Sequence, residues 1–206
     1  MSIMLEDKKL ANDILERHFF SNFRKPRSRQ DTDKKKLEIF LTGACRANCE
    51  YCYIKKNMHS LYPIGLQNED TIVHNFKLLM DWYVKNEFKC DLELFSAEWL
   101  TTSLADKIIA ILLDTFNNTS YKPEVIICAD NMQFLKDDKA TEKVEKYISD
   151  LKQIGINFVI SASIDGKYCD EGRTPNSDEF YEKLIQFLSK YNFCVHPMIS
   201  AHNIKN

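Results

Sequence analysis

The sequence lacks several features that would place the protein outside the cytoplasm. No apolar run approaches the length of about 18–20 residues that a membrane-spanning helix needs. The start of the chain, Met1 to Asp7, lacks the basic-then-apolar order of a signal peptide. The formal net charge is only −2, so no global field favours nucleic acid. We therefore expect a soluble, cytoplasmic protein whose thiols stay reduced.

Glycine is scarce, with five in 206 residues, and no internal repeat recurs at a fixed period. A chain of this length with 44% hydrophobic residues can bury one sizeable core. Residues 1–36 are predicted to precede that core as a helix, Leu5 to Phe23, and a basic linker. The linker, which includes Arg24 to Arg29, is interpreted as solvated, the alternative being a docking surface for an acidic peptide or redox partner. Residues 37–206 are predicted to form the main unit.

From Leu37 onward, short apolar strands alternate with amphipathic helices, which predicts an α/β fold with a parallel sheet and right-handed crossovers. An open doubly wound sheet and a partial TIM-type barrel both fit this pattern. The predicted strands are Leu37 to Leu41, Asp91 to Phe95, Val125 to Cys128, Phe158 to Ile164 and Phe193 to Ile199. Four helices are predicted: one capped by Asn68, one from Ser103 to Phe116, one from Thr141 to Ile154, and one capped by Ser177. In the first helix, the residues predicted to face inward are Ile72, Phe76, Leu79 and Tyr83. In the second helix they are Leu104, Ile108, Ile111 and Leu112.

Three cysteines, Cys45, Cys49 and Cys52, follow the first predicted strand at the spacing C-x3-C-x2-C. One short loop can wrap three such sulfurs around a compact inorganic centre, and thiolates suit Fe–S clusters and zinc. The next cysteine is Cys90, so a four-iron cube held here would keep one iron open for a substrate or cofactor. A disulfide with a spare thiol conflicts with the odd cysteine count of seven. Structural zinc would need His59 as a fourth ligand, at an uncommon spacing.

Residues able to bind a ligand follow every predicted strand. In parallel α/β folds, function collects at the carboxyl ends of the strands, so these residues are predicted to share one rim and form a site. They are Cys45, Cys49 and Cys52; Ser96, Ala97 and Glu98; Asp130 and Asn131; Ser163 and Asp165; and Ser200, His202 and Asn203.

The cysteine motif, with Tyr51 just before its last cysteine, resembles the radical S-adenosyl-L-methionine (SAM) superfamily over roughly residues 37–203. The resemblance implies a partial (βα) barrel and a 4Fe-4S cluster on Cys45, Cys49 and Cys52 that binds SAM through its open iron. It also implies an iron-dependent oxidoreductase: one electron, supplied by a flavodoxin- or ferredoxin-like donor, cleaves SAM to methionine and a 5′-deoxyadenosyl radical. That radical would abstract hydrogen from a substrate.

Two further segments resemble the family's SAM contacts. Ser96, Ala97 and Glu98 resemble the first three residues of a Gly-Gly-Glu-Pro segment, with Trp99 in place of proline. The resemblance implies that small residues let the backbone approach the methionine end of SAM and that Glu98 holds its amino group. The alternative for Glu98 is a solvated carboxylate at a helix start.

The segment Ser163 to Gly166, Ser-Ile-Asp-Gly, resembles the peptide-modifying branch, the sulfatase maturases and sactipeptide synthases. It implies a peptide or protein substrate, with Ser163 and Arg173 holding the SAM carboxylate; a guanidinium fork matches a carboxylate bidentately. For Arg173 the alternative is an ordinary surface arginine. In the family the segment of Tyr51 and Tyr53 meets the adenine, although either ring could instead be core.

The remaining cysteines have other interpretations. Cys90, Cys128 and Cys194 lie at or in predicted strands and are expected to be buried apolar residues. Cys169 lies in the loop over the proposed site and is a candidate reactive thiol or auxiliary ligand.

Two expectations concern the whole chain. The last strand is predicted to need cover from a partner chain, a further C-terminal segment or self-association, because a sixth strand and the branch's cysteine-rich extension are absent from the sequence. The alternative function is a non-catalytic Fe–S or zinc-binding scaffold, a truncated or degenerate homologue.

Overall fold

The computed structural model describes residues 36–43, 45, 49, 52, 68–95, 98–162, 177–191 and 193–195. The chain divides into two compact units, Met1–Lys35 and Lys36–Asn206. The predicted N-terminal helix and most of the basic linker lie outside the described residues. None of the described helices is long and apolar enough to cross a membrane.

The second unit alternates strands with helices, as the hydrophobic periodicity predicted. The strands are β1 Lys36–Phe40, β2 Asp91–Phe95, β3 Val125–Asp130, β4 Asn157–Ala162 and β5 Phe193–Val195. The helices are α1 Glu69–Lys85, α2 Ser103–Phe116, α3 Asp138–Gln153 and α4 Asp178–Lys190, and a short 3-10 helix, Gln133–Lys136, precedes α3.

All five strands are parallel and lie in one sheet in chain order, β1-β2-β3-β4-β5. Leu37 pairs with Leu92 across the first two strands, and Ile126 pairs with Phe158 across the third and fourth. A doubly wound sheet would require the strand order to reverse, and the order of the described strands does not. The prediction of a parallel α/β fold is therefore confirmed, with the strands added progressively to one side.

Polar side chains join each described helix to the next, which indicates that the four helices lie side by side on one face of the sheet. Between each pair of neighbouring helices, at least one lysine forms a salt bridge with an acidic side chain of the next helix. The pairs are Lys107 with Glu69 at 2.8 Å, Lys143 with Asp106 at 2.6 Å, and Lys183 with Asp138 and Lys190 with Glu145, both at 2.8 Å.

The core lies between this helix layer and the sheet, and the inward-facing residues predicted for α1 and α2 contribute to it. In α1 the predicted Leu79 is half-buried and packs against this core, and Met80, which the prediction did not include, is fully buried. In α2, the predicted Ile111 is likewise half-buried and packs against the core. Helix α3 begins at Asp138 rather than Thr141, because Asp137 caps it by accepting a 2.8 Å hydrogen bond from the Ala140 N–H.

Candidate functional site

The cysteine loop leaves the sheet at the carboxyl end of β1. Leu41, Thr42 and Gly43 follow the strand as buried residues, and the Leu41 N–H donates to the Phe95 carbonyl at 3.4 Å. The chain therefore still contacts the end of β2 at Leu41, and the Cys45 side chain that follows is exposed.

Cys45, Cys49 and Cys52 carry thiols, with no disulfide among the described cysteines. The Cys52 N–H donates to the Cys49 carbonyl at 3.2 Å, so the backbone groups of these two cysteines lie close together, and both side chains are partly exposed. Among the described residues, no three Cys, His, Asp or Glu side chains converge on a common point that could hold a metal ion. The fit to an Fe–S cluster thus lies in the chemistry of the donors, three solvent-accessible thiols on one loop.

Glu98 follows β2 and is buried, with 4% of its surface exposed. Its Oε1 accepts from the Thr101 hydroxyl at 3.1 Å, and its Oε2 accepts from Nδ2 of Asn131 at 3.5 Å. The alternative of a solvated helix-start carboxylate is wrong, because burial and two internal donors hold this side chain at the rim.

Trp99 stands where the resembled segment has proline, and it anchors this stretch in the core. Its side chain is fully buried, and its carbonyl accepts from both the N–H and the hydroxyl of Thr102, at 3.0 and 2.7 Å. Thr102 occupies the N-cap position of α2. A large apolar side chain therefore fixes the chain at the start of α2, next to Glu98.

Two consecutive side chain–backbone hydrogen bonds shape the chain after β3. Asp130 Oδ1 accepts from the Met132 N–H at 2.7 Å, and Asn131 Oδ1 accepts from the Gln133 N–H at 3.3 Å. Asp and Asn favour such turns because their short side chains reach the backbone two residues further on. Met132 adopts a left-handed conformation with φ of 61°, which a non-glycine residue tolerates only when its surroundings hold it.

Asn131 connects the ends of three neighbouring strands. Its Nδ2 lies 3.5 Å from Glu98 Oε2 and 4.0 Å from Cys45 Sγ. Cys45 follows β1, Glu98 follows β2 and Asn131 follows β3, so the carboxyl ends of these strands supply a thiol, a carboxylate and an amide to one contact network.

Asp130 lies behind this network and is 3% exposed. Burial raises the pKa of its carboxyl to about 7 and the charge of Glu98 adds to that rise, whereas the backbone N–H groups of Met132, Leu100 and Trp99 oppose it. The Asp130 carboxyl can therefore hold a proton near neutral pH, directly behind the contact network.

The strand cysteines differ from one another. Cys128 is buried as predicted, and burial raises the pKa of its thiol. Cys90 is only partly buried and precedes β2, where its carbonyl accepts from the Tyr83 hydroxyl at 2.6 Å. The Cys194 side chain lies outside what the structure describes.

The structure brings together Cys45, Glu98 and Asn131. Sequence analysis named Asn131 only as a strand-end residue and missed its bridging contacts, for which the signal is the Asp130-Asn131 pair directly after an apolar strand. Cys49, Cys52 and Asp130 are the other candidates that the structure describes. The remaining candidates lie outside the described residues: His59, Tyr51, Tyr53, Ser96, Ala97, Ser163, Asp165, Cys169, Arg173, Ser200, His202 and Asn203. Comparison of the chain with protein-family models, with curated proteins and with solved structures found no match.

Proposed function

We propose that this protein is a radical SAM enzyme with a partial (βα) barrel core. A 4Fe-4S cluster would be held by Cys45, Cys49 and Cys52. The observation that supports this most directly is the contact network of Cys45, Glu98 and Asn131. It joins the cysteine loop to the carboxylate that the resemblance assigns to SAM, at the carboxyl ends of adjacent parallel strands where ligands bind.

Cys45, Cys49 and Cys52 would hold the cluster, whose chemistry would be to pass one electron from a flavodoxin- or ferredoxin-like donor to SAM, with cleavage to methionine and a 5′-deoxyadenosyl radical. The chain's own share is orientation. Glu98 would accept hydrogen bonds from the SAM amino group, since its carboxylate lies at the rim beside the cysteine loop. Ser163 and Arg173 would hold the SAM carboxylate, and a peptide or protein would donate the hydrogen atom.

The test is anaerobic reconstitution with iron and sulfide, followed by an assay of SAM and dithionite for 5′-deoxyadenosine. Cys45→Ala, Cys49→Ala and Cys52→Ala should each abolish the brown cluster absorbance and the product. Cys90→Ala and Cys128→Ala are matched controls that should keep both, with a loss of stability on the order of 1 kcal/mol. Iron retention in Cys45→Ala together with its loss in Cys128→Ala would overturn the proposed ligand set.

SAM affinity provides a second test, by calorimetry on the reconstituted protein. Glu98→Ala should keep the cluster but weaken SAM binding by about 5- to 150-fold, equivalent to roughly 1–3 kcal/mol for a lost hydrogen bond to a charged group. Ser163→Ala should act in the same direction. Thr101→Ala is the control, because it removes the hydroxyl at Glu98 Oε1 but leaves the carboxylate in place. Unchanged affinity in both Glu98→Ala and Ser163→Ala would argue against these SAM contacts.

A second candidate function is a non-catalytic Fe–S or zinc-binding scaffold. It is favoured by one observation: both carboxylate oxygens of Glu98 already accept internal hydrogen bonds, from Thr101 and Asn131. A structural carboxylate of this kind needs no ligand. The scaffold would bind metal stoichiometrically through the cysteine loop but yield no 5′-deoxyadenosine in the same assay.

A further inference from the structure

We propose that Asn131 is a positioning residue for the cysteine loop: its side-chain amide donates one N–H to Cys45 and the other to Glu98. Through the first bond it would set the charge carried by the Cys45 sulfur. The role in tuning a cluster rests on the proposed function, whereas the bond to the Cys45 sulfur belongs to the metal-free chain.

The orientation of the Asn131 amide follows from its own backbone neighbours. Its Oδ1 accepts the Gln133 N–H at 3.3 Å, so the carbonyl side of the amide is already committed. The Gln133 side chain adds a hydrogen bond to the Asn131 backbone carbonyl at 3.4 Å. The NH2 group must therefore face away from the 3-10 helix, toward the rim.

The NH2 group carries two hydrogens, and two acceptors lie within reach of them. Cys45 Sγ is 4.0 Å from Nδ2, and Glu98 Oε2 is 3.5 Å from it. A primary amide can serve both at once because its two N–H bonds diverge in one plane. The side chain thus acts as a spacer that keeps the sulfur and the carboxylate near each other but separated by donors.

A donor at a ligating sulfur has a defined electronic effect. Hydrogen bonds to the sulfurs of an Fe–S cluster withdraw charge and help set its reduction potential, and residues that support ligands commonly orient them as well. Loss of the Asn131 N–H should therefore make the cluster harder to reduce. A negative charge in its place should have a larger effect in the same direction.

The decisive variant is Asn131→Asp, with Asn131→Ala as a second. Aspartate keeps the oxygen that accepts the Gln133 N–H, so the turn after β3 is preserved, but it replaces the NH2 donor by a second oxygen. The matched control is Asn86→Asp, which makes the same chemical change at the C-cap of α1. There the Asn86 amide donates to the Trp82 carbonyl at 2.8 Å, at the end of α1.

The first readout is an EPR-monitored redox titration of the reconstituted cluster. In Asn131→Asp the ratio of reduced to oxidised cluster at a fixed potential should fall at least threefold, a shift of about 28 mV at 59 mV per tenfold. Asn131→Ala should shift the same way, and Asn86→Asp should match the wild type. A potential in Asn131→Asp equal to that of the wild type overturns the proposal.

The second readout needs no metal and separates this inference from the proposed function. In the iron-free protein, the rate at which iodoacetamide modifies Cys45 relative to Cys49 is measured by mass spectrometry. Asn131→Asp should lower this ratio at least threefold, because a carboxylate beside the sulfur disfavours the reactive thiolate. An unchanged ratio overturns the proposal. If the wild type assembles no cluster, the proposed function fails, and the alkylation ratio alone decides whether Asn131 contacts Cys45.

Discussion

Asp130 shows how one buried side chain can link stability to pH in this protein. Its carboxyl is almost fully enclosed, accepts one hydrogen bond from the Met132 N–H and faces the nearby charge of Glu98. Burial is the main reason why its pKa rises from 3.8 to about 7. The folded protein therefore holds a proton at mildly acidic pH that the unfolded chain has already lost.

The sign of the pH dependence follows from that rise. The contribution of Asp130 to stability is fully present below pH 3.8, and it is lost as pH rises through about 7. Between pH 5 and pH 8 the free energy of unfolding should fall by about 2–3 kcal/mol from this group. Asn keeps the acceptor for the Met132 N–H but does not titrate, so Asp130→Asn should remove this fall.

The measurement is urea unfolding of the iron-free protein at pH 5 and pH 8. Asp114→Asn, on the exposed side of α2, makes the same change where no burial acts and should keep the wild-type pH dependence. An equal fall in wild type and Asp130→Asn would mean that Asp130 is ionised throughout this range.

Side-chain caps fix the starts of three of the four described helices, α1, α3 and α4. Asn68 Oδ1 accepts from the N–H groups of Asp70 and Thr71 at 2.9 and 3.3 Å, and Ser177 accepts from Phe180 N–H at 3.2 Å. Each cap satisfies backbone donors at the helix start that have no partner within the helix. Both caps were predicted from the sequence and are confirmed.

Helix α1 allows a matched comparison of two asparagines. Asn68→Ala should lower the free energy of unfolding by about 1 kcal/mol, because it removes the cap. Asn75 is exposed within the helix, where alanine has the higher helix propensity, so Asn75→Ala should raise stability by up to about 0.7 kcal/mol. Urea unfolding of both variants gives the comparison, and a loss in Asn75→Ala as large as that in Asn68→Ala would contradict it.

Across the described sheet, the backbone amides of different strands should differ in their protection from hydrogen exchange. Strand β3 lies between β2 and β4, so its backbone groups have partners on both sides. Strand β5 pairs with β4 and lies at the outer position of the described sheet. The backbone hydrogen bonds of a strand with two neighbours break only when the whole unit unfolds. Those of an outer strand can break by local opening, which requires less free energy.

Hydrogen exchange followed by NMR should reveal this difference. The amides of Ile126 and Cys128 in β3 should exchange far more slowly than those of Phe193 and Cys194 in β5. The exchange of β3 should also slow in step with global stability when Asn75→Ala raises it. Equally slow exchange in β5 would indicate that a second neighbour covers this strand, as the sequence led us to expect.

The sequence predicted the local structure of the described unit well, and the contacts between its parts less well. The periodicity around Phe76 and the cap at Asn68 are local signals, so the helices could be located. The strand order was open, since alternation alone fits two topologies. Cys45 and Glu98 were predicted at one rim because parallel strands end there together. The Asn131 bridge depends on tandem turns and side-chain direction, which no spacing in the sequence specifies.

The progressive strand order has a consequence for synthesis on the ribosome. Each described strand pairs with the one made just before it, so no early strand waits for a distant partner to emerge. Cys45, Glu98 and Asn131 are all translated before β4 begins at Asn157. The first three strand ends can therefore meet on the nascent chain, and the cysteine loop can acquire its neighbours while the second half of the sheet is still being translated.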